Sequence, residues 1–301
     1  MSSTASSPSG GSTHVVASSP SEDDTRAFGV RRLVAFRLRR VRWWKIALVL
    51  SSLPMLLFLT VPLVALGLRI SPSRVLSNLF TTPVAQAISL SLSTTAITVV
   101  LSVVAGTPVA YLLARGSFRG NALLDTLVDL PMVLPPSVAG IALLVAFGRV
   151  GLVGSRLDDV GVSIAFTQVA VVLAQTFVAA PFYIKAAAAG LANVDRELEQ
   201  AAALDGAGGL QVFRYVTAPL AWTAMFGGAV MTWARALGEF GATIIFAGNL
   251  PGRTQTMPLA IYLGFEIELD VALTLAAILL AASFSVLILV KGILRQRVRM
   301  L

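Results

Sequence analysis

Apolar residues gather into six long runs, 46–68, 85–114, 123–147, 164–188, 219–246 and 271–294, separated by shorter polar stretches. Each run reaches the roughly twenty residues a helix needs to cross a hydrocarbon core. The pattern therefore predicts an all-α membrane protein with six transmembrane helices over 46–294. Prolines recur inside the runs, at Pro54, Pro62, Pro108, Pro131, Pro135, Pro136 and Pro181. Bundle neighbours re-satisfy the backbone groups such prolines free, so they are compatible with spanning helices. The cluster Pro131, Pro135 and Pro136, followed by Gly140, predicts a kinked third helix, read either as local packing or as a bend bordering a cavity.

The polar remainder has its own organisation. Residues 1–25 hold nine serines and the acidic triplet Glu22, Asp23 and Asp24, too little apolar area to order itself, and are expected to form a disordered cytoplasmic tail. A basic juxtamembrane segment, 26–45, carries Arg31, Arg32, Arg37, Arg39, Arg40, Arg42 and Lys45, with Trp43 and Trp44 at its inner edge. Basic charge beside interfacial aromatics reads as an anchor on an anionic leaflet. Arg31 and Arg32 raise the possibility of a twin-arginine signal, but the apolar run behind them is too long and lacks a small-residue cleavage site. A basic C-terminus, 295–301, closes the chain.

Composition agrees with the pattern. The 301 residues are 56% hydrophobic and 13% charged, with mean hydropathy +0.83, more apolar surface than one soluble core of this length buries. A water-soluble enzyme is excluded on that ground. The net charge of +8 is unevenly distributed: with the N-terminus inside, seventeen Lys and Arg fall on the cytoplasmic side and five outside, Arg69, Arg74, Arg149, Arg156 and Arg253. Both termini are expected in the cytoplasm.

Catalytic chemistry has few candidates. There is no cysteine, and the one histidine, His14, lies in the tail. No GxxxxGK[ST] loop is present, so the chain is not expected to bind ATP, and no catalytic or metal-ligating set is assigned. Asp125 and Asp129, one helical turn apart near the inner edge of the third run, and Asp158 and Asp159 in an outer loop, are read as capping or solvated residues; Glu266, Glu268 and Asp270 give the outer face an acidic stretch.

Two stretches carry functional signal. The first is the cytoplasmic loop 189–218, in which Asp195 caps a helix carrying Glu197, Leu198, Glu199, Gln200, Ala201, Ala202, Ala203 and Leu204, stopped by Gly206, Gly208 and Gly209. A second short helix, 210–216, leads to Pro219 at the start of the fifth span. Two short helices with an Ala-rich face make either a docking surface or an ordinary interhelical connection. The second stretch is the fifth span. Gly228, Thr232, Arg235, Glu239 and Ala242 fall on one helical stripe, opposite Phe226, Val230, Trp233, Leu237, Phe240 and Ile244. An arginine at mid-membrane costs about 2.5–3.5 kcal/mol, so Arg235 is expected on a protected face with Glu239 as its partner. The pair reads as a register-fixing ion pair or as positive potential on an anion pathway. A proton relay is disfavoured because arginine does not deprotonate.

At these residues the sequence resembles a known family. Gln200, Ala201, Ala202 and Gly206, with Val216 and Pro219 ten and thirteen residues beyond that glycine, resemble the EAA loop of permease subunits of bacterial ABC importers. The family's usual glutamate falls on Gln200 and its usual leucine on Ala218; Glu199 is a charged neighbour, about 100° away around the helix. The run from Arg235 through Gly241, Thr243, Asn249, Arg253, Thr254 and Thr256 to Tyr262, with Leu130, Pro131, Leu134, Pro135, Pro136, Gly140, Gly148 and Gly151, resembles molybdate-transport permeases, of which sulfate and thiosulfate permeases are close relatives.

The resemblance implies a type I importer permease, homodimeric, in the inner membrane of a prokaryote. It implies a separate ATPase holding ATP and Mg, which docks on Glu199, Gln200, Ala201, Ala202, Gly206, Ala207 and Pro219, and an external oxyanion-binding protein. The expected pathway residues are Arg235, Glu239, Gly241, Thr243, Asn249, Arg253, Thr254 and Thr256. Molybdate is the first expectation, with sulfate, thiosulfate or tungstate as alternatives. An ion-gradient-driven transporter is the rival class, and a membrane-embedded enzyme a third.

Overall fold

The computed structural model describes residues 22–69, 71–116 and 119–298, all its elements being helical. His14, residues 1–21 of the Ser-rich tail and 299–301 of the basic C-terminus lie outside the described residues. The chain divides into two units, Met1–Ala65 and Leu66–Leu301. The first holds most of α1 (Glu22–Arg69), which begins inside the stretch expected to be disordered, so the acidic triplet is helical. Its 48 residues extend about 72 Å at 1.5 Å per residue. Ala47–Arg69 is apolar enough to cross a membrane. Ser51, Ser52 and Thr60 donate their hydroxyls to Leu48, Val49 and Leu56 carbonyls one turn back, which lets them sit in an apolar helix.

The second unit begins with α2 (Pro72–Leu79) and α3 (Thr82–Arg115), followed by α4 (Asn121–Val133), α5 (Pro136–Phe147), α6 (Gly154–Asp158) and α7 (Gln168–Ala192). A polar loop carries α8 (Arg196–Leu204) and α9 (Gly209–Val212), and a π-helical turn, Phe213–Thr217, runs into α10 (Ala218–Leu237). Then come α11 (Gly241–Phe246), α12 (Met257–Ile267) and α13 (Leu269–Val298).

Helices α3 and α7 are parallel. Thr98 bonds Gln175, Thr107 bonds Tyr183 and Arg115 reaches Val194, at sequence separations of 77, 76 and 79. Helix α10 runs the other way along α7, with Gly228 against Tyr183 and Ala186, and Thr232 donating to the Ala179 carbonyl at 3.2 Å. At the far end of the bundle from α8, Asn78 near the end of α2 bonds Thr274 near the start of α13.

This topology decides the path of the third run. Its two halves, α4 and α5, meet at 114°, where a single kinked helix was expected. Since α3 ends beside α8 and α7 starts at the other end, α4, α5 and the loop after them must carry the chain back across. They are a broken span. Leu134 and Pro135 are both extended, ψ 135° in each. Each precedes a proline, whose ring bars the helical conformation from the residue before it.

Among the described residues, four helices are long and apolar enough to cross a membrane: α1 over Ala47–Arg69, α3, α7 and α13 over Leu269–Ile288. The α4–α5 pair makes a fifth. Helix α10, diluted by Arg235 and paired glycines, does not meet that test, yet it covers the depth of α7 by packing. The fifth run was expected as one helix. It stops at Leu237 and restarts as α11, and the apolar α12 was not expected at all.

Three apolar clusters hold the passes together. Ala110, Tyr183, Ala187, Leu191 and Ala221 join α3, α7 and α10 near α8. Ala139, Leu143, Val171, Ala174, Ala242 and Phe246 join α5, α7 and α11. Val84, Ala87, Leu237, Met257 and Leu275 join α3, α10, α12 and α13. Helix α5 approaches α11 closely enough that a Cβ on Gly140 would lie 2.9 Å from the Ala242 carbonyl oxygen.

Candidate functional site

The α8 loop is built from its ends. Asp195 Oδ1 accepts the Glu197 amide at 2.9 Å, filling the N-cap role its sequence position gives it. At the other end the Gly206 amide bonds the Ala203 carbonyl and the Ala207 amide bonds that of Ala202. With Gly206 at φ +91°, this is a Schellman cap, which needs a residue free to adopt the left-handed region. The two caps present Gln200, Ala201 and Leu204 to solvent, Leu204 being 88% exposed. Beyond them Leu210 and Tyr215 are also exposed, at 80% and 69%.

The second helix of the loop differs from expectation. Helix α9 ends at Val212 and continues through the π-helical turn into α10 without a break, the Ala218 amide reaching back five residues to the Phe213 carbonyl. Pro219 explains the widening: it has no amide to donate, and its ring would strike the carbonyl four residues back in a regular helix. Beside it Arg214, Ala218, Pro219, Trp222 and Met225 line a cavity of about 400 Å³.

Glu199 lies on another face. Its Oε1 accepts Arg115 Nη2 at 2.9 Å and the Thr217 hydroxyl at 2.7 Å, and its side chain is 15% exposed. It points into the bundle and offers no charge to the solvent face beside Gln200.

The second candidate region centres on Arg235 and Glu239. Their side chains pair at 2.7 Å, with Arg235 30% exposed and Glu239 1%. The other Glu239 oxygen accepts the Ala242 amide at 2.8 Å, so this carboxylate joins the end of α10 to the start of α11. The break at Gly238 takes Glu239 off the expected helical stripe, yet the pair survives it. Thr232 is level with Ala179, near the middle of α7, and Arg235 lies one turn further from α8. The small residues Gly228 and Thr232 do face the bundle interior, and Leu237 packs among α3, α12 and α13.

The remaining expected pathway residues each have their own local surroundings. Gly241 packs against Pro136, where an added Cβ would come within 2.7 Å of that ring. Thr243 is buried, its hydroxyl without a partner among the described residues. Asn249 donates to the Leu259 carbonyl, and the Thr254 hydroxyl accepts the Leu250 amide, which folds the loop before α12 on itself. Thr256 is buried beside Met257, whose amide donates to Ser91 of α3. Arg253 is exposed.

Known proteins with this architecture place the geometry. The profile of the binding-protein-dependent transport system inner membrane component matches residues 102–300. The chain belongs to that family. Within it, the molybdenum transport system permease protein of Mycobacterium tuberculosis is 43% identical over 235 residues, covering 78% of this chain and 89% of that protein. The corresponding Escherichia coli K12 permease is 45% identical over 185 residues, 61% of this chain and 81% of that one. A probable sulfate transport system permease of Nephroselmis olivacea is 34% identical over 269 residues, covering 88% and 94%. In fold, the chain is similar to a bacterial ABC transporter that imports alginate, at TM-score 0.67 and 14% identity over 87% of this chain and 98% of that one. The inward-facing methionine ABC transporter gives 0.55 at 21% identity, over 71% and 95%.

Sequence reasoning missed several polar contacts of this permease. Lys185 of α7 donates to Asp125 at 2.8 Å and Asp129 at 3.0 Å, so those carboxylates tie α4 to α7; the capping or solvated role expected of them is corrected. Their one-turn spacing put them on one helix face, and the signal was a lone lysine inside an apolar run. The Thr107–Tyr183 bond, at 2.6 Å, had no signal in the local pattern.

Proposed function

We propose that this chain is the membrane-spanning permease subunit of an ATP-driven importer of an oxyanion, with molybdate as the substrate. The observation that carries the substrate is the 43% identity to the Mycobacterium tuberculosis molybdenum permease over most of both chains. The chain would work as a homodimer in a prokaryotic inner membrane with both termini inside, taking the ion from an external binding protein. A separate ATPase, which supplies ATP and Mg, would dock on the solvent face of α8 at Gln200, Ala201 and Leu204 and on the exposed Leu210 and Tyr215. Closure of the ATPase pair would move α8, and with it α3 and α10, opening the pathway to alternate sides. Arg235 would give that pathway positive potential. Glu239, buried and bonded to the Ala242 amide, holds the guanidinium in place.

The test is uptake in vesicles containing the permease with its ATPase and binding protein. Labelled molybdate should accumulate only with ATP, and unlabelled sulfate in tenfold excess should compete poorly. Equal competition by sulfate would move the substrate to that branch of the family. Thermal shift of the binding protein separates the same alternatives, and a shift with sulfate alone would overturn the molybdate assignment.

A further inference from the structure

Glu199 sits under the proposed docking surface but takes no part in it. One carboxylate oxygen collects two donors from different elements: Arg115, the last residue of α3, and Thr217, the last residue of the π-helical turn that opens α10. The same Arg115 nitrogen donates to the Val194 carbonyl at 2.8 Å, which fixes the turn between α7 and α8. Four parts of the chain thus meet at one ion pair. The pair is shielded, with side chains 11% and 15% exposed and Thr217 fully buried.

We infer that Glu199 is a positioning residue, the joint through which displacement of α8 reaches α3 and α10. This rests on the reading of the α8 loop as the ATPase dock. The geometry favours a rigid joint over a hinge. Helix α8 is nine residues long and is capped at its start by the Asp195 side chain and at its end by backbone bonds. Apart from the chain itself, the side-chain bonds from its body to other elements among the described residues converge on this carboxylate. A load on the exposed side of α8 is therefore delivered to the ends of two passes that both pack on α7. Buried charge-assisted bonds of this kind are short and directional, as transmission without slack requires. Arg115 Nε is buried with no partner among the described residues, and the guanidinium is held by its Nη2 bonds to Glu199 and Val194.

The experiment uses vesicles containing the complete complex of permease, ATPase and binding protein, and reads molybdate imported per ATP hydrolysed. Glu199→Gln keeps the shape and removes the charge. The expected result is about a tenfold fall in that ratio, the size of a typical coupling between sites, with the ATPase still co-purifying. Thr217→Val removes one hydroxyl donor without adding charge and should lower the ratio about threefold. Exchange of the charges, Arg115→Glu with Glu199→Arg, should recover part of the loss. A purely structural role would lower the melting temperature and both rates together and leave the ratio unchanged. An unchanged ratio in Glu199→Gln and Thr217→Val, or loss of the ATPase from the complex, overturns the inference. Wild-type vesicles run alongside separate the two failures. No ATP-dependent uptake by wild type sinks the importer reading, whereas wild-type uptake with unchanged variant ratios sinks only the joint.

Discussion

At Gly206 the backbone adopts φ +91° with open space around the missing Cβ, so a side chain there meets no atoms and acts only through the backbone. Gly206→Val should strain the cap by about 1–2 kcal/mol and lower uptake more than ATP hydrolysis, with membrane insertion intact. Gly206→Asn, which tolerates this region, should behave nearly as wild type; equal losses in both variants would count against the cap as the cause. Arg235 poses a different question, because Glu239 is 1% exposed. Arg235→Ala strands that carboxylate and should destabilise the chain by about 3–5 kcal/mol. Adding Glu239→Gln should restore most of the stability but not the uptake, and uptake at the wild-type rate in the double variant would reduce the pair to a structural role. The Arg235–Glu239 pair was legible because an arginine in an apolar run must find a partner, and residues four apart meet one turn on. The direction of Glu199 was not legible. It is set by Arg115 and Thr217, which approach from other elements and leave no mark in its own segment.

Among elements, the outer limits of the apolar runs were readable to within a few residues, since length and hydropathy determine them. Their interruptions were harder to read. Pro135 and Pro136 in succession force two extended residues, and that steric rule was available in the sequence. The direction of the resulting 114° turn depends on the contact of Gly140 and Pro136 with α11, which is tertiary. The end of α10 at Leu237 likewise depends on Glu239 turning to the Ala242 amide. Helix α4 buries no residue of its own, so its tie to α7 through Lys185 matters for its position. These groups are 35–49% exposed, and solvent screening limits each pair to about 1 kcal/mol or less. Lys185→Met should therefore lower the melting temperature by only about 2–4 °C. A fall beyond 10 °C would mean that the cluster carries more of the fold than its exposure allows.

Across the whole molecule, family membership argues for a transporter driven from outside the chain, and the polar α8 loop is its proposed dock. The purified permease alone, in vesicles under an imposed ion gradient, should show no oxyanion uptake; a measurable rate would revive the gradient-driven class. The span count came from hydropathy, but the arrangement of the passes came from contacts such as Thr98 with Gln175, which no local pattern encodes. That parallel pairing has a consequence for biosynthesis. The two partners are 77 residues apart, so at about 5–20 residues per second α3 waits roughly 4–15 s for α7 to emerge from the ribosome. Its hydroxyls are prepared for the delay: Thr94, Thr95 and Ser102 each donate to a carbonyl one turn back in their own helix. The nascent helix can thus rest in lipid with these polar groups satisfied, and Gln175 arrives with the partner that needs it.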